Sequence, residues 1–382
     1  MSELRRRFWV QRSEPFVLAA MALLAVALFA FTSVATRAFK AQRSRLGQEW
    51  FARGVAHLGN ERPAEAIADF RNALVYNRED QHYSLRLAQA LAATGRIAEA
   101  EAYLLNLWER APGDSTINLE LARLAAKDGR VEAAHRYYHN AVYGVWDGDA
   151  EEQRRRVRWE LVEVLLACGR NDEAVAELVS LVGDLPNHDV RARVRAADMY
   201  RRAGEHERAL AEYAAALRRE RDNPAALAGT GESAFALGRY GIAERYLSRA
   251  RRADPKNAAL GSLLEVARAA LELDPYAYRL SSTTRAERAV RAFAVTVERL
   301  QRCAAEKGLA IDGNGPEAPL VEQYGTASAM KPRVTPERLR RDEAALDTTM
   351  DLVFRSQQLA AQECGPGSAA DQALLLLGRR AE

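Results

Sequence analysis

Few residues in this chain of 382 amino acids have the types and spacing that chemistry requires. His135 and His139 stand four residues apart on one predicted helix, a spacing that two ligands of a zinc ion can use, but no acidic residue or cysteine joins them on that face as a third ligand. The cysteines, Cys168, Cys303 and Cys364, form no CxxC pair and have no histidine at zinc-ligand spacing. We therefore expect a packing or surface role for the two histidines, and neither a metal site nor a cofactor.

The motifs of the common catalytic folds are missing from the sequence as well. It contains no Walker phosphate-binding loop, no GxSxG nucleophile elbow and no Rossmann glycine fingerprint after a strand. Its 55 basic and 52 acidic side chains leave a net charge of +3 and are interspersed along the chain, unlike the basic stripe of a nucleic-acid-binding protein. The sequence assigns no catalytic residue and favours a protein-binding function over an enzyme or a binder of nucleic acid.

One segment near the N-terminus is apolar enough to enter a membrane. Residues 16–34 are apolar except for Thr32 and Ser33. At about 1.5 Å per residue such a helix is about 28 Å long, close to the ~30 Å thickness of the hydrocarbon core of a bilayer. We predict a transmembrane helix over residues 16–36, after a basic tail over residues 1–15 and before a juxtamembrane linker over residues 37–46.

Basic residues flank this span on both sides, so its direction rests on the cost of translocation. A short tail with several arginines is costly to translocate, whereas a long C-terminal domain crosses largely regardless of its charge. We expect the N-terminus in the cytoplasm and the rest outside it, in the periplasm at a bacterial inner membrane. Two alternatives remain: a signal peptide cleaved after Ser33-Val34-Ala35, and a twin-arginine export signal at residues 5–8.

Beyond the span, the sequence repeats itself with a period of 34 residues, marked by Ala66, Ala100 and Ala134. A large apolar or aromatic residue follows each of these alanines by four positions. The pattern resembles the tetratricopeptide-repeat (TPR) family, whose helical hairpins carry small residues at positions 8, 20 and 27. The resemblance implies an all-α fold, an α-solenoid of helix-turn-helix repeats that bury their apolar faces by stacking. It places six units in residues 47–257, namely 47–80, 81–114, 115–148, 155–188, 190–223 and 224–257.

The six units share their position-20 and position-15 residues. Position 20 is alanine in all of them: Ala66, Ala100, Ala134, Ala174, Ala209 and Ala243. Position 15, where the first helix of a hairpin ends and a left-handed backbone is easiest for glycine, is glycine in five: Gly95, Gly129, Gly169, Gly204 and Gly238. The first unit departs from this pattern with Glu61, and residues 149–154 are an insertion. We interpret residues 146–154 as an exposed loop, with a docking role for Trp146 as the alternative.

After the repeats the period is lost, yet helical patterns continue. We predict a capping helix within residues 258–280 and a helical C-terminal region over residues 281–382, in which residues 308–335 form a long loop rich in Gly and Pro. The predicted helices of this region cover residues 284–307, 336–363 and 371–380.

Two of the cysteines fall near the ends of the two long C-terminal helices. A disulfide between Cys303 and Cys364 requires those ends to meet and an oxidising compartment, and two free thiols are the alternative. Cys168 lies in the first helix of the fourth repeat, where we expect a small buried core residue.

The resemblance to TPR proteins also implies a partner-binding groove, because in that family positions 2, 5, 9, 12 and 13 of each first helix line the concave face. We predict that this groove is mildly basic and suits protein segments that carry acidic residues; the alternative is that its arginines are only solvated and that the solenoid binds through its edges or ends. The mapped residues are Phe51, His82, Gln89, Arg123, Lys127, Arg156, Trp159, Glu163, Arg191, Asp198, Arg201, Arg202, Glu232 and Phe235.

The sequence therefore predicts a non-enzymatic scaffold that holds protein partners in a complex at a membrane. The alternative is a stoichiometric accessory subunit of a larger membrane protein complex. Both are binding functions, and an accessory subunit would co-purify at fixed stoichiometry through detergent.

Overall fold

The structure, a computed structural model, describes the backbone of residues 2–186, 188–311 and 318–381, and the side chains of residues 17–186, 188–311 and 318–379. The chain divides into two compact units, Met1–Cys168 and Gly169–Glu382, called unit 1 and unit 2 below. Within the described residues every named element is a helix. The prediction of an all-α fold is confirmed.

The first helix, α1, runs unbroken from Ser2 to Gly59. Its apolar part is long enough to cross a membrane and its side chains are exposed, although a signal sequence would pass the same test. The sequence predicted a separate linker over residues 37–46, but the chain stays helical there, since this stretch contains no proline or glycine to stop the helix. One helix thus joins the apolar span to the first repeat. The predicted basic tail, residues 1–15, lies outside the described side chains.

The repeats of unit 1 are hairpins of packed helices, in which α1 packs against α2, α3 against α4 and α5 against α6. The last helix of the unit, α7, carries the first-helix pattern of the fourth repeat. The helices after α1 are α2 (Pro63–Tyr76), α3 (Gln81–Ala93), α4 (Ile97–Arg110), α5 (Ser115–Lys127), α6 (Val131–Tyr143) and α7 (Ala150–Ala167).

The insertion between the third and fourth repeats is mostly helical, so the interpretation of residues 146–154 as a loop was wrong for its second half. Helix α7 already begins at Ala150 because Asp149 caps it, accepting a hydrogen bond from the backbone N–H of Glu152 at 3.1 Å. Two acidic residues in its first turn also favour a helix N-terminus here. The insertion lengthens a first helix rather than forming a long loop.

Unit 2 continues with two further hairpins, α9 packed on α10 and α11 on α12, and then with helices that lack the period. Its helices are α8 (Asn171–Gly183), α9 (Val190–Arg202), α10 (His206–Arg219), α11 (Pro224–Ala236), α12 (Tyr240–Ala253), α13 (Ala258–Leu273), α14 (Ser282–Glu306), α15 (Pro319–Met330), α16 (Pro336–Arg341), α17 (Glu343–Cys364) and α18 (Ala369–Ala381). The predicted capping helix corresponds to α13, but α13 is itself covered by α18 and leads into the C-terminal helices instead of ending the stack.

The packing expected from the repeat pattern is present in the hairpins that lie within one unit, where a small residue at position 20 lets the two helices approach closely. All six position-20 alanines have no exposed surface. The residues four positions later fill the space beside them and are at most 2% exposed: Phe70, Leu104, Tyr138, Leu178, Tyr213 and Leu247.

The hairpin turns also follow the prediction, because the five position-15 glycines have positive φ angles between 66° and 87°. The N–H of the following residue then donates to the carbonyl five residues earlier, as Arg96 does to Leu91 at 2.9 Å. In the first repeat Glu61 adopts the same conformation with φ of 57°, and Arg62 donates to His57 at 2.9 Å. The turn is therefore kept without its glycine.

Three expectations for the rest of the chain were wrong. The predicted loop 308–335 contains α15, which buries Leu320 and Ala327, while residues 312–317 lie outside the described part. The predicted helix 336–363 is interrupted at Asp342, whose side chain caps α17 by accepting from Ala345 N at 3.0 Å. Cys168 is exposed, because it is the residue at which α7 ends.

Cys303 and Cys364 are joined by a disulfide, with their Cα atoms 5.8 Å apart. Buried polar groups surround this link: Arg299, 3% exposed, donates to the carbonyl of Gly365 at 2.7 Å. Asp371, 1% exposed, accepts from Arg302 at 2.8 Å. These bonds tie α14 to the end of α17 and the start of α18.

Candidate partner-binding face

The mapped groove residues lie on the first helices of the hairpins, which form one face in each unit. In unit 1 this first-helix face comprises α1 from residue 47 onward, α3, α5 and α7, and in unit 2 it comprises α9 and α11. Neighbouring first helices contact each other, α1 with α3, α3 with α5 and α9 with α11. The two parts of the face are described separately.

A row of hydrogen bonds crosses the face of unit 1 from one repeat to the next. Gln89 donates to Glu120 at 3.0 Å, and Glu120 also accepts from Arg123 at 2.9 Å. The Arg123 guanidinium then bonds both carboxylate oxygens of Glu160, with Nε–Oε2 and Nη2–Oε1 distances of 2.9 and 2.6 Å. In both pairs, Gln89 with Glu120 and Arg123 with Glu160, a position-9 side chain bonds the position-6 carboxylate of the next repeat.

The two carboxylates of this row, Glu120 and Glu160, are not among the groove residues predicted from the sequence, and they offset the charge of Arg123. Position 6 precedes position 9 by three residues and so lies on the same helix face. This spacing could have identified both glutamates from the sequence. The phenol of Tyr138 lies beneath this network. Burial, together with the nearby Glu160 carboxylate, raises the pKa of Tyr138 to about 12.

Of the other polar groove residues of unit 1, two form hydrogen bonds and two are exposed. Lys127 donates to the carbonyl of Ala92, near the end of α3, at 3.0 Å, and Arg156 donates to Gln153 at 2.6 Å. His82 and Glu163 are exposed.

The two mapped aromatic residues of unit 1 are not open contact sites. Phe51 stacks on Tyr83, with ring centroids 4.8 Å apart, and also contacts Phe70. Trp159 is only 8% exposed. Trp159 is thus buried and Phe51 half-buried, and the Phe51 ring contributes to packing between repeats.

In unit 2 the face is organised around Asp198 and Arg201. Arg201 pairs with Glu232 of the next first helix at 3.1 Å, and Asp198 accepts a hydrogen bond from the hydroxyl of Tyr213. Burial, followed by this hydrogen bond, raises the pKa of Tyr213 above its ordinary value. Phe235 is half-buried and packs edge-on against Tyr240.

Tyr213 reaches the first-helix face because position 6 of the next repeat is Gly229. A Cβ atom at Gly229 would overlap the ring and hydroxyl of Tyr213. The glycine thus opens a path for the phenol, which belongs to the second helix α10, to the carboxylate of Asp198 on α9.

The remaining mapped cations of unit 2, Arg191 and Arg202, are exposed. Among the residues that the structure describes, neither side chain has a hydrogen bond or an ion pair. Of the mapped arginines, Arg123 and Arg201 are therefore engaged with carboxylates of the protein, whereas Arg191 and Arg202 are available to an external anion.

Models of one protein family match the chain twice. A model described as tetratricopeptide repeat matches residues 57–117, and a second one with the same description matches residues 194–258. The chain carries tetratricopeptide repeats. The TPR matches fall on the hairpins described above, α1 to α5 in the first case and α9 to α13 in the second.

Several solved structures are similar to the chain at low identity. PilF of Pseudomonas aeruginosa is 15% identical over 58% of this chain and 97% of its own, with a TM-score of 0.42. PilW, a type IV pilus biogenesis factor, is 16% identical over 57% and 98%, with a TM-score of 0.42. YrrB, a TPR protein with an unusual peptide-binding site, is 18% identical over 50% and 95%, with a TM-score of 0.40. No curated protein sequence matches the chain.

Proposed function

We propose that this chain is a membrane-anchored TPR scaffold that binds protein partners and assembles them into a complex at a bilayer. TPR domains commonly mediate protein–protein interactions, and one solved relative is described as having a peptide-binding site. The observation that carries the proposal is α1, which joins an exposed apolar span to the first TPR hairpin without a break. A partner bound by the repeats is thereby restricted to the neighbourhood of the membrane, which raises its effective concentration there.

The TPR domain is placed outside the cytoplasm in this proposal, with the N-terminus inside. The disulfide between Cys303 and Cys364 supports this side, since disulfides persist in oxidising compartments and are rare in the cytosol.

Partner binding is assigned to the first-helix face, with acidic segments as the preferred ligands. Arg191 and Arg202 supply the charge for this contact, because their guanidinium groups are exposed and lack internal partners, and Arg can bind carboxylates bidentately. Arg123 and Arg201 have a different role: they hold adjacent repeats together through Glu160 and Glu232.

Affinity purification of the full-length chain from detergent-solubilised membranes tests this assignment. The double variant Arg191→Glu with Arg202→Glu should lose its partner proteins, as identified by mass spectrometry, because carboxylates would then repel acidic segments. The matched control is Arg218→Glu with Arg219→Glu, which reverses two exposed charges on the second helix α10 of the same unit. Undiminished recovery of partners by the first variant would refute binding at this face, and equal losses in both variants would show that only net charge matters.

A further inference from the structure

One edge of unit 1 lies beside the part of α1 that directly follows the apolar span. This inter-repeat edge consists of the C-terminal ends of α2, α4 and α6 and the loops that follow them, residues 77–80, 111–114 and 144–149. The end of α2 is fixed against α1: the Arg43 guanidinium donates to the carbonyl of Val75 at 3.1 Å, and Tyr76 Cβ would lie 3.4 Å from a Cβ atom at Gly47. The opposite edge carries the turns within each hairpin, at residues 59–62, 94–96 and 128–130.

The unbroken helix sets the distance of this edge from the bilayer. Arg37 is the first charge after the span, and at 1.5 Å per residue Arg43 lies about 9 Å and Gly47 about 15 Å further along α1. The headgroup layer of a bilayer adds roughly 5–8 Å on each side of the hydrocarbon. With the usual tilt of a membrane helix, the end of α2 is held at the level of the headgroups or just above them.

The inter-repeat edge carries exposed large hydrophobic residues among exposed charged ones such as Arg78, Glu79 and Asp147. Beyond Phe39, which is 62% exposed, five large hydrophobic residues of the described part of unit 1 are exposed. Three of them lie on this edge: Val75 at 62%, Tyr143 at 60% and Val145 at 73%. None lies in the turns of the opposite edge. Tyrosine and other aromatic residues favour the membrane–water interface, where an apolar body and a polar tip are both satisfied.

The backbone holds Val145 in its exposed position. Its N–H donates to the carbonyl of Gly113 at 2.9 Å, and its carbonyl accepts from the N–H of Ser115 at 3.0 Å. Gly144 permits this close approach, since a Cβ atom there would lie 2.6 Å from the hydroxyl of Ser115. Trp146 turns the other way and donates its indole N–H to the carbonyl of Ala141 at 2.9 Å. These backbone hydrogen bonds hold the loop so that the Val145 side chain is exposed.

We propose that the inter-repeat edge of unit 1 rests on the bilayer surface, with Val75, Tyr143 and Val145 in contact with the lipid headgroup region. The proposal rests on the membrane anchor of the proposed function and adds a second contact with the same bilayer. Asp147, Asp149 and two glutamates follow Val145, so the contact is made by the apolar side chains and requires no anionic lipid. Phe39 on α1 belongs to the same interface, with the Arg43 guanidinium 6.0 Å from its ring centroid.

Quenching of site-specific fluorophores in the full-length chain tests this contact. In a Cys168→Ser background, single cysteines at Val75, Val145, Phe39, Asn60 and Phe31 are labelled with an environment-sensitive dye, and the chain is reconstituted into phosphatidylcholine vesicles. A spin label on the lipid headgroup should quench the dyes at 75 and 145 to the same fraction as the dye at 39. The dye at 60, on the opposite edge of the same hairpin, is the control and should keep its emission.

The two possible failures are distinguishable in this design. If dyes at 75 and 145 stay as bright as the dye at 60 while an acyl-chain spin label quenches the dye at Phe31, the anchor stands and the edge contact is refuted. If the dye at Phe31 is not quenched by the acyl-chain label, the anchor itself fails, and the edge contact fails with it.

Discussion

At the scale of single residues, Glu61 stands out because it adopts the left-handed backbone that the other hairpin turns give to glycine. That conformation costs an ordinary L-residue about 1 kcal/mol. Glu61→Gly should therefore raise the free energy of unfolding by about 1 kcal/mol in urea titrations of the full chain in detergent. Gly95→Ala, at the equivalent turn of the second repeat, should lower it by a similar amount or more. A neutral or destabilising effect of Glu61→Gly would contradict the strain at this turn.

Tyr138 gives the repeats a sensitivity to alkaline pH. Because its pKa is about 12 in the folded chain and about 10 in an unfolded one, the unfolded chain releases this proton first as the pH rises. The stability due to the buried neutral phenol is thus complete below pH 10 and declines between about pH 10 and 12, by about 3 kcal/mol.

The Tyr138→Phe variant checks this pH dependence. It should remove that part of the decline when the free energy of unfolding is followed by circular dichroism from pH 9 to 12. Tyr143→Phe, at a tyrosine that is 60% exposed, is the control and should follow the unchanged protein. Identical slopes for Tyr138→Phe and the unchanged protein would contradict the role of the buried phenol.

The identity of the core residues was predictable, whereas the state of the groove residues was not. Ala66 and its counterparts could be found because hairpin packing imposes a small residue at a fixed spacing. Trp159 and Phe51 occupy positions that line the groove in TPR proteins, yet whether a ring there packs or stays open depends on neighbours such as Tyr83, far along the chain. The pairing of Arg123 likewise depends on Glu160, 37 residues away.

At the scale of helices, the contact between α10 and α11 depends on Gly229. Gly229→Ala places a methyl group where the Tyr213 ring lies, and we expect a loss of about 1–3 kcal/mol in the free energy of unfolding from overpacking. Gly241→Ala in α12 is the matched control, since a Cβ there meets no atom within 4 Å. It should be neutral or stabilising by up to about 1 kcal/mol through helix propensity. Similar effects of both substitutions in urea titrations would show that Tyr213 moves aside freely.

Helix boundaries in the C-terminal region were harder to predict than those of the repeats, where a period constrains them. No proline or glycine marks the break at Asp342, which exists because this side chain caps α17 better than it would continue α16. Helix α15 buries few of its own residues, and contacts such as the one between Gln301 and the Tyr324 hydroxyl, at 2.7 Å, attach it to α14. Such tertiary support leaves no local signal in the sequence.

At the scale of the whole molecule, the exposed thiol of Cys168 offers a test of the side of the membrane on which the proposed anchor places unit 1. With an extracytoplasmic TPR domain, a membrane-impermeant maleimide should label the chain in cells whose inner membrane is intact. The disulfide occupies the other two cysteines, so Cys168→Ser should abolish labelling until a reductant is added. Labelling of Cys168 only after the inner membrane is permeabilised would place the repeats in the cytoplasm.

The continuity of α1 also fixes the rotation of the first hairpin about the helix axis relative to the apolar span. An α-helix turns by about 100° and rises about 1.5 Å with each residue. Deleting one residue between Arg37 and Gly47 would therefore swing the first hairpin by more than a quarter-turn about the helix axis, while adding seven would restore nearly the same azimuth about 10 Å further out. In the proposed membrane-anchored chain, the number of residues in this stretch thus determines which way the first repeat points along the plane of the membrane, and at what height.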